Sequence, residues 1–411
     1  MQSRAGRLTT IGALSLVSDI GYSFFFAGLG TLLLDRGTSV QDLALINLLG
    51  ILYFCRFMVG PVVDQYGFAR LGHYRGWLIC TQVIIVAVLL ALAMVDPIEN
   101  MALMLTLMSV VLFVSSVNDT AINGLAVRLI PPEEHGIANG VQVATGSLSI
   151  IIGSGGALLL YSWIGWGPTL ITLAAVFLAP LSVLLTLREP AGPPTVRGLE
   201  GWSSLWRFFR QARTGLFTLL VVPVFVLGDW VAYAPQTAIL LDHGWSVEKI
   251  GLVQYTVATS AQVVAALAAG WLVTRLGRRR FPLWAGAAGV VGTVLLFPVA
   301  SGLGRAGTGG AVFAAGVLVL LAAVYGAKLT WVSTVSMALA RPEAPATEYT
   351  VPMSMLGLMR VLANSLGLAS VALAGLPWVL GSASALGIVG TVAVMAWAQR
   401  SVPRLSEPAT V

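Results

Sequence analysis

The sequence predicts an all-α, polytopic membrane protein: twelve transmembrane helices in two pseudo-symmetric six-helix bundles. Three observations carry that prediction. Hydrophobic residues make up 57% of the 411 and charged residues only 10%, against about 25% charged in a soluble domain. Apolar runs of about twenty residues, the length that crosses a ~30 Å hydrocarbon core, recur between short polar turns. Two loop patterns also recur in the second half of the chain.

The runs place spans at 9–34, 43–63, 76–95, 102–128, 137–160, 168–187, 215–241, 250–273, 282–301, 311–338, 350–374 and 384–400. The expected division is an N-terminal bundle over 1–188, a cytoplasmic linker over 189–213 and a C-terminal bundle over 214–411. The first run is too long for a cleavable signal peptide and ends without a small-residue cleavage motif.

The net charge of +6 invites a nucleic-acid partner, and its distribution disposes of one. With the N-terminus inside, cytoplasmic segments hold Arg4, Arg7, Arg70, Arg75, Arg128, Arg188, Arg207, Arg210, Arg213 and the run Arg278-Arg279-Arg280, while the outer loops hold only Arg36, Lys249 and Arg305. That asymmetry is the positive-inside rule and puts both termini in the cytoplasm. Cys55 and Cys80 fall inside spans, where they pack as small apolar residues rather than forming a disulfide. His73, His135 and His243 are far apart, so no metal-ligand spacing exists. No phosphate-cradling loop or nucleophile elbow is present either.

Span four carries Ser115, Asp119 and Asn123 at i, i+4 and i+8, a polar stripe on one helix face. Asp119 lies roughly 14 Å along the helix from Arg128, near mid-bilayer. A carboxylate there costs a few kcal/mol, so it faces a partner or a watery cavity, as a lock between helices or as a functional group. Span one repeats the spacing with Ser15, Asp19 and Ser23, and Tyr22 lies on the adjoining face.

The segment Leu33-Leu34-Asp35-Arg36-Gly37 through Leu43 is echoed by Leu240-Leu241-Asp242-His243-Gly244 through Ile250. Span two ends in Gly60-Pro61-Val62-Val63-Asp64-Gln65-Tyr66-Gly67 and span eight in Gly270-Trp271-Leu272-Val273-Thr274-Arg275-Leu276-Gly277, followed by Arg278. Glycine there lets helices approach closely, and a helix-end Asp can bond neighbouring helix termini and bias a gate. Span five sets Asn139, Gln142, Gly146, Ser149 and Gly153 at three- and four-residue steps. Its glycines and serines fit tight packing as well as a pore lining, whereas Asn139 and Gln142 favour the pore. Within the linker, Trp202, Leu205, Trp206 and Phe209 with Arg207, Arg210 and Arg213 make a short amphipathic helix. Span seven holds Asp229 and Tyr233 on one face, then Gln236 beyond Pro235, which can break the helix; span ten holds Tyr325, Lys328 and Trp331 on one face. Asp19, Asp119 and Asp229 balance Lys328, Arg56 and Arg360, as a partly dry cavity requires.

The two Gly-containing span ends resemble the loop signature of the major facilitator superfamily. The first copy keeps its Asp, and the second keeps its basic run with Thr274 in place of the Asp. Within that superfamily the chain resembles inner-membrane siderophore permeases of the rhizobactin and pyochelin type and the related AmpG-like muropeptide permeases. The likeness rests on Arg56-Phe57-Met58-Val59-Gly60-Pro61-Val62-Val63-Asp64 with Leu71-Gly72-His73-Tyr74-Arg75-Gly76-Trp77. Asn118-Asp119-Thr120-Ala121-Ile122-Asn123-Gly124-Leu125-Ala126-Val127-Arg128 and Ala346-Thr347-Glu348-Tyr349-Thr350 extend it. Asn123 stands where those relatives have a second carboxylate, Asn118 where they have Gln and Pro352 where they tend to have Gln.

The resemblance implies spans 1, 4, 7 and 10 lining a central cavity. It also implies a secondary transporter: proton-coupled uptake of a siderophore or similar small organic ligand by alternating access, as a multi-pass protein of the bacterial inner membrane. On that reading Asp119 and Asp19 titrate, with Asp229 as a third candidate. Lys328, Arg56 and Arg360 hold an anionic part of the ligand or act as counter-ions. Tyr22, Asn118, Asn123, Gln142, Tyr233, Gln236 and Trp331 complete the pathway, and Gly60, Asp64, Gly270, Arg275 and Arg278 form a cytoplasmic gate. The expected partners are the ligand and the bilayer, with no nucleic acid, metal, obligate protein partner or cofactor beyond the proton gradient. A muropeptide permease, an exporter of amphiphiles and a transport-dead receptor or assembly factor are the alternatives. An enzyme lacks any supporting constellation.

Overall fold

The computed structural model describes residues 3–29, 33, 46, 48–68, 70–97, 99–190, 199–303 and 307–401. Apolar chain in lipid must satisfy its backbone internally, and among the described residues helix does this throughout, with one isolated bridge between Phe68 and Gly72. Ten helices there are long and apolar enough to cross a membrane. The other two predicted spans correspond to short helical pieces over 48–65 and to the helix Pro345–Ala374. Residues 34–43 of the repeated loop and 191–198 of the linker lie outside the described residues.

The chain divides into two compact units. The first comprises Met1–Pro131, Thr145–Trp206 and Ala340–Val351; the second comprises Pro132–Ala144, Arg207–Leu339 and Pro352–Val411. In the first, Tyr74–Leu92 packs along Met101–Leu129, and a core of Leu14, Val63, Tyr74, Leu78, Ile122, Leu125 and Leu184 fills the space beside them. In the second, Ala258–Leu276 packs on Gly307–Leu339, while Val222–Tyr233 and Phe281–Ala300 pack on Leu376–Ser401. Small residues permit these approaches: a Cβ at Gly228 would sit 2.5 Å from the Ala383 carbonyl oxygen. Helices end where glycine adopts left-handed backbone, as at Gly277 (φ 82°) and Gly375 (φ 82°). The latter explains why the last helix begins at Leu376 rather than at 384 as expected.

Spans one, two and seven are interrupted. Span one does not carry Ser15, Asp19 and Ser23 on one continuous helix: Arg4–Ser15 ends, 16–19 form a turn, and helix resumes at Ile20–Ser23 before a π-helical stretch, Phe24–Leu29. The Ser18 hydroxyl donates to Ser15 O at 2.8 Å, and the Asp19 N–H donates to Ser149 Oγ at 3.0 Å. The Ser18 bond is local and competes with the helical ladder, and the Ser149 hydroxyl of span five takes the Asp19 N–H out of that ladder. Span two alternates 3₁₀ turns (Leu48–Gly50, Cys55–Met58) with short α-helices (Ile51–Phe54, Gly60–Gln65), so Arg56 is carried on the tighter backbone. Span seven ends its first helix at Tyr233 and restarts at Gln236, across Pro235.

Candidate functional site

In the first unit the break in span one aims the Asp19 carboxylate at span two. There the Tyr53 hydroxyl donates to Asp19 Oδ1 at 2.6 Å. Tyr53 is buried, and Tyr22 stacks on its ring at 4.9 Å. One 3₁₀ turn on, Arg56 Nη1 lies 3.5 Å from the Tyr53 hydroxyl and forms an ion pair with Asp119 Oδ2. Asn123, one helical turn beyond Asp119, donates Nδ2 to the same oxygen at 3.4 Å and to Thr350 Oγ1 at 3.2 Å. Asn123 therefore faces Asp119 as a donor, where a carboxylate at this position would repel it. Asp19, Tyr22, Arg56, Asp119 and Asn123 are thus brought together.

Tyr53 completes this cluster and was not singled out in the sequence, because a lone Tyr in an apolar run carries no periodic signal. Asn118 turns elsewhere, its Oδ1 accepting the Thr81 hydroxyl at 3.1 Å in a fully packed contact with span three. The Gly and Ser positions of span five pack on span one: a Cβ at Gly153 would strike Ile20 O at 2.5 Å.

At the end of span two, Asp64 Oδ1 accepts the Ala346 N–H at 3.0 Å and the Tyr74 hydroxyl at 2.5 Å. Its Oδ2 accepts the Thr347 N–H at 2.8 Å and hydroxyl at 2.7 Å. Gly60 allows this contact, since its Cβ would lie 2.7 Å from Thr347 Cα. Glu189, an acid not singled out in the sequence, accepts the N–H groups of Tyr74 (3.1 Å) and Arg75 (3.0 Å) at a helix N-terminus and pairs with Arg128 at 3.6 Å. Its place directly after span six, ahead of Pro190, was the available signal.

In the second unit Lys328, almost wholly buried, pairs with Asp229 at 2.7 Å and donates to Phe225 O at 3.1 Å. Trp230 stands beside them, edge-on to Tyr233 (5.3 Å) and Tyr325 (4.8 Å), with the Arg360 guanidinium 4.6 Å from its ring centre. Gln236 Oε1 accepts Gln254 Nε2 at 3.5 Å. Gln142 is half-buried.

Besides Asn118, two further residues expected to face the pathway are packed instead. Trp331 has no exposed surface; its indole N–H donates to Arg278 O at 2.8 Å and its ring abuts Phe225. Asn139, also without exposed surface, donates to His135 O at 2.7 Å. Of the expected gate residues, Gly270 lies against Gly136 and Gly140 (its Cβ would be 2.7 Å from Gly136 O), and Arg278 Nη2 donates to Pro132 O at 2.9 Å. Arg275 is apart from them, exposed, with its guanidinium 5.4 Å from the Trp271 ring centre.

Among the described residues no group of His, Cys, Asp and Glu could hold a metal ion. Spans that carry buried Asp–Arg and Asp–Lys pairs mark a polytopic membrane protein with functional charges held inside the bilayer. More particularly, the chain belongs to the Major Facilitator Superfamily, which it matches over residues 11–367. It is 27% identical over 273 residues to the anhydromuropeptide permease of Escherichia coli K12, a match covering 65% of this chain and 53% of that protein. The chain thus spans about half the length of that curated relative. The human organic anion transporter MFSD10 shares the fold with a TM-score of 0.75 at 15% identity, over 96% of this chain and 100% of that one. An outward-facing bacterial homologue of the iron transporter ferroportin does so with a TM-score of 0.70 at 16% identity, over 96% and 100%. These relatives are transporters, not enzymes.

Proposed function

We propose that this protein is a proton-coupled secondary transporter that takes up an anionic small organic ligand across the bacterial inner membrane by alternating access, with both termini in the cytoplasm. The observation that supports it is the Asp119–Arg56 pair, reached from Asp19 through Tyr53. Neutralising Asp119 with a proton removes the counter-charge of Arg56, which then attracts an anionic group of the ligand. Proton and anion therefore enter together, and loss of the proton on the other side restores the pair and expels the ligand. In the second unit, Arg360 beside the Trp230, Tyr233 and Tyr325 rings offers, by itself, a cation and aromatic surface of the kind an anionic organic ligand uses.

A muropeptide is the first cargo to test, because of the likeness to the anhydromuropeptide permease. A siderophore is the second, supported by the span-two and span-four motifs around Arg56 and Asp119. The experiment is uptake of each labelled ligand into proteoliposomes under an imposed pH gradient. Gradient-driven accumulation that disappears in Asp119→Asn is expected. Accumulation indifferent to the gradient, or full activity in Asp119→Asn, ends the coupling mechanism.

A further inference from the structure

The helix Leu199–Arg210 takes no part in either charge cluster, yet its surface is chemically divided. Trp202 and Trp206, one turn apart on a shared face, are 47% and 66% exposed, while Phe208 is buried. Arg207, Arg210 and Arg213 are exposed beside them, and Glu200 is the sole acid between 199 and 213. The end of the helix is fixed. The Thr214 hydroxyl donates to Phe208 O at 2.5 Å, the Gly215 N–H donates to Gln211 O at 2.8 Å, and a Cβ at Gly215 would collide with the Phe209 carbonyl.

Directly after this rigid turn, Leu216, Leu219 and Leu220 are exposed on a segment, Arg213–Asp242, long and apolar enough to span a membrane. The exposed aromatic surface therefore continues along the chain into a lipid-facing one, with arginines at the junction.

We infer that Leu199–Arg210 and Arg213 form a binding surface for the headgroups of anionic phospholipids. Trp202 and Trp206 sit at the boundary between headgroups and acyl chains, where an amphipathic ring is best accommodated. Arg207, Arg210 and Arg213 reach the phosphates, to which a guanidinium fork donates in bidentate fashion. The continuity with exposed leucines of a membrane span favours lipid over a soluble protein partner. The surface acts whatever the cargo, since it requires only that the chain lie in a bilayer.

The test uses the full-length protein in detergent, titrated with phosphatidylglycerol or phosphatidylcholine at low and high salt. Phosphatidylglycerol is expected to raise the unfolding temperature more than phosphatidylcholine does, at low salt only. Each of Arg207→Gln, Arg210→Gln and Arg213→Gln should weaken that lipid's affinity about fivefold. In vesicles, brominated phosphatidylglycerol should quench the fluorescence that Trp202→Phe with Trp206→Phe removes, which reads the surface in folded protein even where the arginine variants misfold. Equal responses to the two lipids, a triple arginine variant with the wild-type preference, or bromolipid-insensitive Trp202 and Trp206 would each overturn the inference.

Discussion

Asp64 and Thr347, 283 residues apart in the chain, are joined twice: one carboxylate oxygen takes both the backbone N–H and the hydroxyl of Thr347. With Ala346 N–H on the other oxygen, a side chain from span two serves as the N-cap of the helix Pro345–Ala374. The first amides of a helix have no intrahelical acceptor, and a carboxylate there also meets the positive end of the helix dipole. That cap explains why this helix begins at Pro345 rather than at 350 as the apolar run predicts. Asp64→Ala strands two amides and the Tyr74 hydroxyl, and is expected to cost about 3 kcal/mol or more. Thr347→Ala removes only one hydroxyl bond to the carboxylate, leaves the backbone bonds in place, and should cost less, about 1.5 kcal/mol. Equilibrium unfolding in detergent separates the two; equal losses would remove the capping role.

The pair Arg56–Asp119 separates a structural role from a titrating one. Removing one partner leaves a buried charge unmatched, so Arg56→Met or Asp119→Leu alone should destabilise by about 3–5 kcal/mol. The double variant should recover most of that loss, because an apolar pair replaces an ionic one at little cost. Transport, by contrast, should stay lost in the double variant. Recovery of flux along with stability would reduce the pair to a helix lock.

How far these relationships were legible differs from residue to residue. Asp119 and Asn123 were readable because a four-residue step puts both on one helix face. The cation that Asp119 takes was not, since charge balance counts Arg56, Lys328 and Arg360 alike and says nothing of pairing. The echoed segments lie 207 and 210 residues apart (Leu33 to Leu240, Gly60 to Gly270), which sets Lys328 against Asp119, 209 residues earlier; yet Asp119 pairs with span two and Lys328 with span seven, so the repeat preserves position, not partner. Trp331 resembled a pathway residue by its spacing from Lys328, but the acceptor of its indole, Arg278 O, lies 53 residues away in the sequence. Local spacing carries no information about such a bond. The Tyr53 contact with Asp19, 34 residues apart, escaped for the same reason. The break in span one had a local signal, Ser15, Ser18 and Asp19 clustered within one turn, which apolar periodicity outweighed.

Tyr53→Phe tests the link between the two carboxylates. The ring and its stacking on Tyr22 survive, and the bond to Asp19 goes. A single uncharged hydrogen bond to a charged acceptor is worth about 1.5–3 kcal/mol, so a measurable fall in stability is expected. If the hydroxyl joins Asp19 to the Arg56–Asp119 pair, proton-driven uptake should fall while ligand binding at fixed pH persists. Binding and uptake falling in parallel would assign Tyr53 to the ligand surface instead.

His73 gives the chain a pH dependence of known sign. Its Nε2 lies 2.9 Å from Val63 O, and Tyr74, Arg128, Glu189 and Asp64 surround it. Burial lowers its pKa, and the Arg128 charge lowers it further. The folded state therefore holds this proton less readily than the unfolded one. The associated stability is present above the ordinary histidine range, near pH 6.5, and is lost as pH falls through it to the depressed folded value. Wild type should thus lose more stability than His73→Gln as pH drops from about 7 to about 5. Parallel profiles would show that His73 is not the responsible group.

Gly289 has no chemistry of its own, and the Lys328–Asp229 pair depends on that. A Cβ at this position of span nine would lie 2.8 Å from Lys328 Nζ and 3.0 Å from Asp229 Oδ1, inside normal contact with both. Lys328 cannot retreat freely, since Nζ is also bonded to Phe225 O and the side chain is buried. Gly289→Ala should therefore push the ammonium and carboxylate apart and cost about 1–3 kcal/mol, as overpacking does. Gly155→Ala is the control: its Cβ meets nothing within 4 Å, and the gain in backbone restriction makes it neutral or stabilising by about 0.5–1 kcal/mol. If the pair takes part in transport, Gly289→Ala and Asp229→Asn should both slow uptake, although Gly289→Ala alters no charged or polar group. A Gly289→Ala protein that matched Gly155→Ala in both stability and flux would show that the pair tolerates displacement, and that its geometry is not what the spans are arranged to keep.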